Sequence, residues 1–183
     1  MATGSRLTAK DLWERSEGDL RLELVDGQII EMAPPGGIHG RVTARISSRL
    51  VEHVRQHGGG EVLVGDVGFV LHLPADPERV RGPDVSFVSK DRLPEGHLPE
   101  GFLQGAPDLV VEVLSPSDTS LDVQQRVRDF LEGGARLVWV IAPRARTVTV
   151  YRADGSARLL RDQDTINGED VLPGLAISLG DVF

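Results

Sequence analysis

Six residues, Leu109 to Leu114, form an apolar run broken only by Glu112. A strand that is apolar on both sides is buried on both sides, so this chain must build layers above and below a sheet. The same run poses a chemical question. An ionised glutamate in such a strand is costly unless it meets a cation or a hydrogen-bond network. Strand alternation places Val110, Glu112 and Leu114 on one face. Two readings follow from the residues: Glu112 serves a functional centre, or it pairs with a buried arginine, Arg126 or Arg136.

The elements around this run are punctuated clearly. Thr8-x-x-Asp11 before Leu12 and Trp13 reads as a capping box opening a short helix that Gly18 ends. Leu20 to Val25 and Gln28 to Met32 flank Asp26-Gly27, a hairpin signal. A loop, Ala33 to Gly37, follows. Ile38, Val42, Ile46, Leu50 and Val54 then recur at every fourth position, which predicts one face of a helix stopped by Gly58-Gly59-Gly60. Strands are expected at Glu61 to Val64, Gly68 to Leu73 and, after a Pro-rich turn, Asp84 to Val88. Lys90 to Gly105 reads as an ordered surface loop. Beyond the Leu109 strand come a helix from Leu121 to Glu132, a buried strand from Leu137 to Ile141, and a second hairpin (Thr147 to Tyr151, Ala157 to Leu160) around Asp154-Gly155. The tail after Asp162 is weakly patterned. Strand, helix and second apolar strand make a β-α-β crossover, expected to be right-handed. The expected architecture is one α/β (α+β) domain over residues 1–183, a mixed central sheet flanked by helices, with additional N-terminal and C-terminal β-hairpins.

Bulk properties narrow the function. No apolar stretch reaches the ~20 residues that cross a bilayer, and Met1 to Lys10 lacks a secretory apolar region. The expectation is a cytoplasmic protein without a membrane partner. With no cysteine there are neither disulfides nor thiolate metal sites. The net charge of −8 argues against a sequence-blind nucleic-acid binder, yet allows a local basic groove. Only Lys10 and Lys90 are lysines among the 20 basic residues. No Gly-x-Ser-x-Gly elbow surrounds Ser115 or Ser117, no Gly-rich phosphate loop follows a strand, and Trp13 and Trp139 join no aromatic-basic array.

Arg21-Leu22-Glu23-Leu24-Val25-Asp26-Gly27, His39, Arg81-Gly82-Pro83-Asp84-Val85 and Pro107-Asp108-Leu109 through Glu112-Val113-Leu114-Ser115-Pro116-Ser117 together resemble the Uma-two family, assigned to the restriction endonucleases of the PD-(D/E)XK nuclease superfamily. The resemblance covers nearly the whole chain, and Glu-Val-Leu-Ser-Pro-Ser is its most specific string. It implies a restriction-endonuclease-like core. It also implies that Asp84 is the metal-binding aspartate, Glu112 the first acidic residue of the second motif, and the Val113 carbonyl a further ligand. Hard oxygen donors of this kind suit Mg²⁺ or Mn²⁺. The implied function is metal-dependent phosphodiester hydrolysis, with DNA as the expected partner and a homodimer as the matching assembly. The alternative is a catalytically inactive nuclease-fold binding protein for nucleic acid or a protein partner.

One departure stands out. The superfamily places a lysine two residues after the glutamate, and Leu114 stands there. Related sequences carry a lysine on the following helix, where Arg126 matches. Lys90 shares strand parity with Asp84, but six residues at ~3.3 Å put it about 20 Å away. Arginine keeps its proton, so Arg126 cannot be a general base. It could instead hold a phosphate or developing negative charge. Glu23 is expected either to border the metal site or to be an exposed strand carboxylate. His39 faces the cleft or the surface. Gln124 and Gln125 lie beside Arg126 on the helix, and Gln125 is a possible cleft residue on that proximity alone. Ser115, Ser117 and Thr119 are expected to satisfy backbone donors, with Asp118 and Asp122 favouring the helix N-terminus.

Overall fold

The computed structural model describes residues 6–15 and 21–183. The expected helix stop at Gly18 and strand start at Leu20 lie outside the described residues. In chain order the elements are α1 (Ala9–Arg15), β1 (Leu22–Val25), β2 (Gln28–Glu31), α2 (Gly37–His57), β3 (Gly60–Val64), β4 (Phe69–Val70), β5 (Val80–Arg81) and β6 (Val85–Ser89). Then come β7 (Leu103–Gln104), β8 (Leu109–Val113), α3 (Ser120–Glu132), β9 (Leu137–Ala142), β10 (Thr147–Arg152), β11 (Ala157–Arg161), β12 (Thr165–Gly168) and β13 (Leu172–Ser178).

Local chemistry explains the boundaries. Thr8 and Asp11 exchange hydrogen bonds at the start of α1, the Thr8 amide reaching Asp11 Oδ2 at 2.8 Å. The first hairpin turns through Asp26 (φ 52°) and Gly27 (φ 74°). Two successive positive φ values match the right-handed twist of a two-residue turn. α3 opens on a capping box between Thr119 and Asp122, while the Ser115 amide donates to Asp118 Oδ2 at 2.6 Å.

A mixed six-stranded sheet, ordered β11-β10-β9-β8-β6-β3, forms the centre. Its one parallel pairing joins β8 to β9 across α3, with Glu112 opposite Val140. The apolar run is therefore an interior strand, as its composition demands. Leu109, Val111 and Val113 join Val42, Ile46, Leu50 and Trp139 in one cluster. Val110 joins Val138, Val127 and Phe130 in a second cluster on the α3 side, the side that Glu112 shares. The Trp139 indole N–H is buried without a hydrogen-bond acceptor among the described residues.

Several expectations are corrected. The first hairpin belongs to a second, five-stranded sheet ordered β2-β1-β5-β4-β7. β4, β5 and β7 are two residues each, too short to show a period, and β7 lies within the segment read as a loop. The strand expected to reach Leu73 ends at Val70, and His72 has φ 52°. On α2, Ile38 is 57% exposed, while His39, Val42, Ile46, Leu50 and His53 form the buried stripe. A four-residue step turns a helix by about 400°, so a strict period of four drifts ~40° per step and cannot hold one face from Ile38 to Val54.

The tail after Asp162 is the largest revision. β12 and β13 pair antiparallel, and Ile166, Leu172, Leu175, Ile177, Leu179 and Val182 enter the main core. Ile177 is 2% exposed. Ile177→Ala is expected to lower unfolding stability by about 2–5 kcal/mol, read from the urea midpoint at unchanged slope. A midpoint equal to the wild type would mean that this hairpin does not belong to the cooperative core.

Candidate active site

β1 and β5 each carry an alternation that divides their environments. Leu24 and Val80 are partners in register and pack with Leu12 beneath α1. The adjacent residues, Glu23 and Arg81, turn to the opposite face, toward α3. There they meet a chain of alternating charges, buried except at Asp26. Arg79 binds Asp76 (2.9 Å), Asp26 (2.8 Å) and Asp129 (2.8 Å). Asp129 also accepts from Arg81 at 2.7 Å, and Arg81 reaches Glu23 at 2.7 Å. Arg126 then spans Glu23 (2.7 Å) and Glu112 (2.9 Å).

Arg126 uses its whole donor fork. Nη1 reaches both Glu23 oxygens, Nη2 reaches Glu112 Oε1 and the Gly82 carbonyl, and Nε reaches Glu112 Oε2 at 3.2 Å. It is thus the arginine partner of Glu112, whereas Arg136 pairs with Asp170. Glu23 is a buried carboxylate, 3% exposed, so the exposed-strand alternative fails. Burial by itself would raise its pKa, but Arg126 and Arg81 outweigh burial and hold it below the ordinary value. Glu112 differs. Burial pushes its pKa up to about 7, Arg126 offsets this only partly, and the nearby Asp84 charge adds to the rise. The ionic chain therefore ends on a carboxyl group that remains short of positive charge.

Asp84 sits immediately before β6, beside the end of β8. Its Oδ2 accepts the Val113 amide at 2.7 Å, and its Oδ1 lies 3.1 Å from His39 Nε2 and 3.7 Å from Arg21 Nη2. The hydrogen bond from Asp84 raises the His39 pKa against the opposing effect of burial. Gly82 is required by crowding: a Cβ there would lie 2.6 Å from the Asp66 carbonyl oxygen. Asp66 in turn pairs with Arg21. Arg21, Glu23, His39, Asp66, Asp84, Glu112 and Arg126 all border one cleft of about 200 Å³.

The structure thus brings together Asp84, Glu112, Val113, Arg126, Glu23 and His39. Gln125 goes elsewhere: it donates to Asp129 Oδ1 at 2.7 Å and lies outside the cleft lining. One residue's difference in helix position turns a side chain by about 100°, which proximity in sequence does not reveal. No group of three or more His, Asp or Glu side chains arranged to hold an ion occurs among the described residues. Arg21, Asp66, Arg81 and Asp129 were not singled out from the sequence. Arg21 and Arg81 stood inside the quoted motifs, but Asp66 and Asp129 had no local signal.

Two outcomes follow. Arg126→Met would leave buried Glu112 without its cation and Glu23 with Arg81 alone, and is expected to cost about 3–5 kcal/mol of stability by denaturant titration. A loss below about 1 kcal/mol would contradict the pairing. For Glu112, the folded state keeps a proton between pH ~4.5 and ~7 that the unfolded chain has released. Stability should therefore fall as pH rises through that window, by up to about 3 kcal/mol. In metal-free buffer Glu112→Gln should lack this loss, so its stability relative to wild type should improve from about pH 5 to about pH 8. Parallel pH profiles for the two proteins would refute the burial effect.

The family model "Uma2: Putative restriction endonuclease" matches residues 10–180. A solved structure from Anabaena variabilis, described as "a putative nuclease belonging to DUF820", is similar at 23% identity. The alignment covers 97% of each chain with a TM-score of 0.83. At that identity the likeness is one of fold. Comparison with curated proteins gives no match. No helix among the described residues is long and apolar enough to cross a membrane. With the family match running over nearly the whole chain, the chain belongs to the Uma2 family.

Proposed function

We propose that the Asp84–Glu112 cleft is a Mg²⁺- or Mn²⁺-dependent phosphodiester-hydrolysing site that acts on DNA. Membership of a family described as restriction endonucleases supports nuclease-like function at the coarse level. The observation that carries the finer reading is Glu112 itself. It borders the same cleft as Asp84, and its one arginine leaves its burial uncompensated. A buried carboxyl group in that condition favours a cation beside it.

The donor chemistry fits a hard dication. Asp84 and Glu112 would hold it, with the Val113 carbonyl as a further oxygen and water completing the set, as Mg²⁺ prefers. When bound, such an ion lowers the pKa of water and stabilises charge on a phosphoryl oxygen. The chain's own residues take more limited roles. Arg126 has every donor engaged, so it is a positioning residue that fixes Glu112 against Glu23, with no N–H left for a phosphate. Glu23 has both oxygens occupied and its pKa held down, which suits it to anchoring Arg126 and unsuits it as a base. His39 orients Asp84 from α2. Arg21, beside Asp84 and Asp66 on the cleft wall, is the guanidinium best placed to meet an incoming phosphate.

A second reading has its own observation. Arg126 already ties Glu112 to Glu23, as a binding protein that had lost metal chemistry would need. Calorimetric titration with Mg²⁺ and Mn²⁺ separates the two. Wild type should bind an ion and Asp84→Ala should not. DNA cleavage should need the ion and vanish in Glu112→Ala. Absence of binding at millimolar ion would leave the binding-protein reading in possession.

A further inference from the structure

A second cavity, of about 400 Å³, opens beside the carboxylate cleft and shares His39, Leu114, Ser115 and Pro116 with it. Its character is different. Ile38, Leu114, Pro116, Ala142 and Pro143 supply apolar walls, and no carboxylate lines it among the described residues. Ile38 is exposed at the start of α2, the position that the buried stripe vacates. The volume falls in the ~300–1,000 Å³ range of small-ligand pockets.

One guanidinium lines it, and a second stands one helical turn from its wall. Arg144, in the turn between β9 and β10, lines the cavity. Arg41 stands three residues after Ile38 on the same helix, a spacing that puts the two on one face. Both arginines are exposed, and neither has an ionic or hydrogen-bonded partner among the described residues. Two unpaired guanidinium groups beside an apolar recess, adjoining a site of phosphate chemistry, are complementary to a nucleotide. The recess takes the flat base, and the cations take the flanking phosphates.

We propose that this cavity receives the unstacked base of a nucleotide adjoining the phosphate in the Asp84–Glu112 cleft, so that the preferred substrate is single-stranded DNA. The inference rests on the phosphodiesterase reading of the neighbouring cleft and adds the substrate class to it. A base paired and stacked within a duplex cannot enter a recess of this kind without being extruded, which costs unstacking energy that a single strand does not incur.

Fluorescence anisotropy with three probes tests it, using Ca²⁺ in place of Mg²⁺: a fluorescein-labelled oligodeoxythymidine, an all-abasic strand of equal length, and a blunt duplex. Wild type should bind the oligodeoxythymidine at least about tenfold tighter than either of the others. Ile38→Asp and Arg144→Glu should each weaken that binding about tenfold. Aspartate in the first turn of a helix is favourable, and Arg144 is exposed in a turn, so both variants should melt like wild type. Equal or tighter binding of the duplex, equal binding of the abasic strand, wild-type affinity in both variants, or no binding to any probe would each overturn the proposal. The neighbouring cleft is judged separately, by calorimetric cation binding. Both variants should retain that binding, whereas Asp84→Ala should lose it whatever strand is preferred.

Discussion

One guanidinium joins two sheets that distant parts of the chain build. Arg126 stands on α3, Glu23 on β1 of the five-stranded sheet, and Glu112 on β8 of the six-stranded sheet. Removing these charges from water is expensive, and such pairs can be matched or exceeded in stability by apolar residues of similar shape. Their value lies in geometry. An apolar seam accepts many arrangements of similar energy, whereas a five-donor fork bonded to two carboxylates and a carbonyl admits few. The carboxyl group at the end of the seam is consequently fixed beside Asp84.

The same arrangement calls for an arginine rather than a lysine at position 126. A lysine ammonium has three donors and can give up its proton when desolvated. It could not serve Glu23, Glu112 and Gly82 together with parallel bonds as Arg126 does. Arg126 therefore lies against the carboxylates, and Glu112 is a cleft carboxyl group whose pKa burial raises to about 7. Arg21, next to β1 of the first hairpin, is the arginine that reaches Asp84.

Much of this was legible in the residues. Glu112 inside an apolar strand announced both a buried sheet and a chemical problem, and one of the two partners considered, Arg126, is the partner found. The hairpin turns, the two glycine-ended helices and the β8-α3-β9 crossover followed from turn chemistry and periodicity. The ionic chain did not, because its links join residues far apart in sequence, such as Arg81 with Asp129 or Arg126 with Glu23. Asp129 lies mid-helix, where nothing local separates it from a solvated carboxylate, yet it is 1% exposed. Gln125 was misplaced for the converse reason, since adjacency to Arg126 says little about direction on a helix. The hairpin β12–β13 was missed because its buried residues are interrupted by glycine and proline, although Leu175, Ile177 and Leu179 do alternate.

α3 has two unlike sides, and this has a mechanical consequence. Val127 and Phe130 are seated in the apolar cluster over the central sheet, while Arg126 and Asp129 engage the charges of β1 and β5. A helix held by grease alone can roll a little about its long axis. This one is splined, because any roll that would free the guanidinium must drive either Phe130 into ions or Asp129 into oil. A one-residue insertion after Asp122 would advance every later side chain by about 100°. Such a helix could keep its length, its cap and its hydropathy and still fit neither sheet.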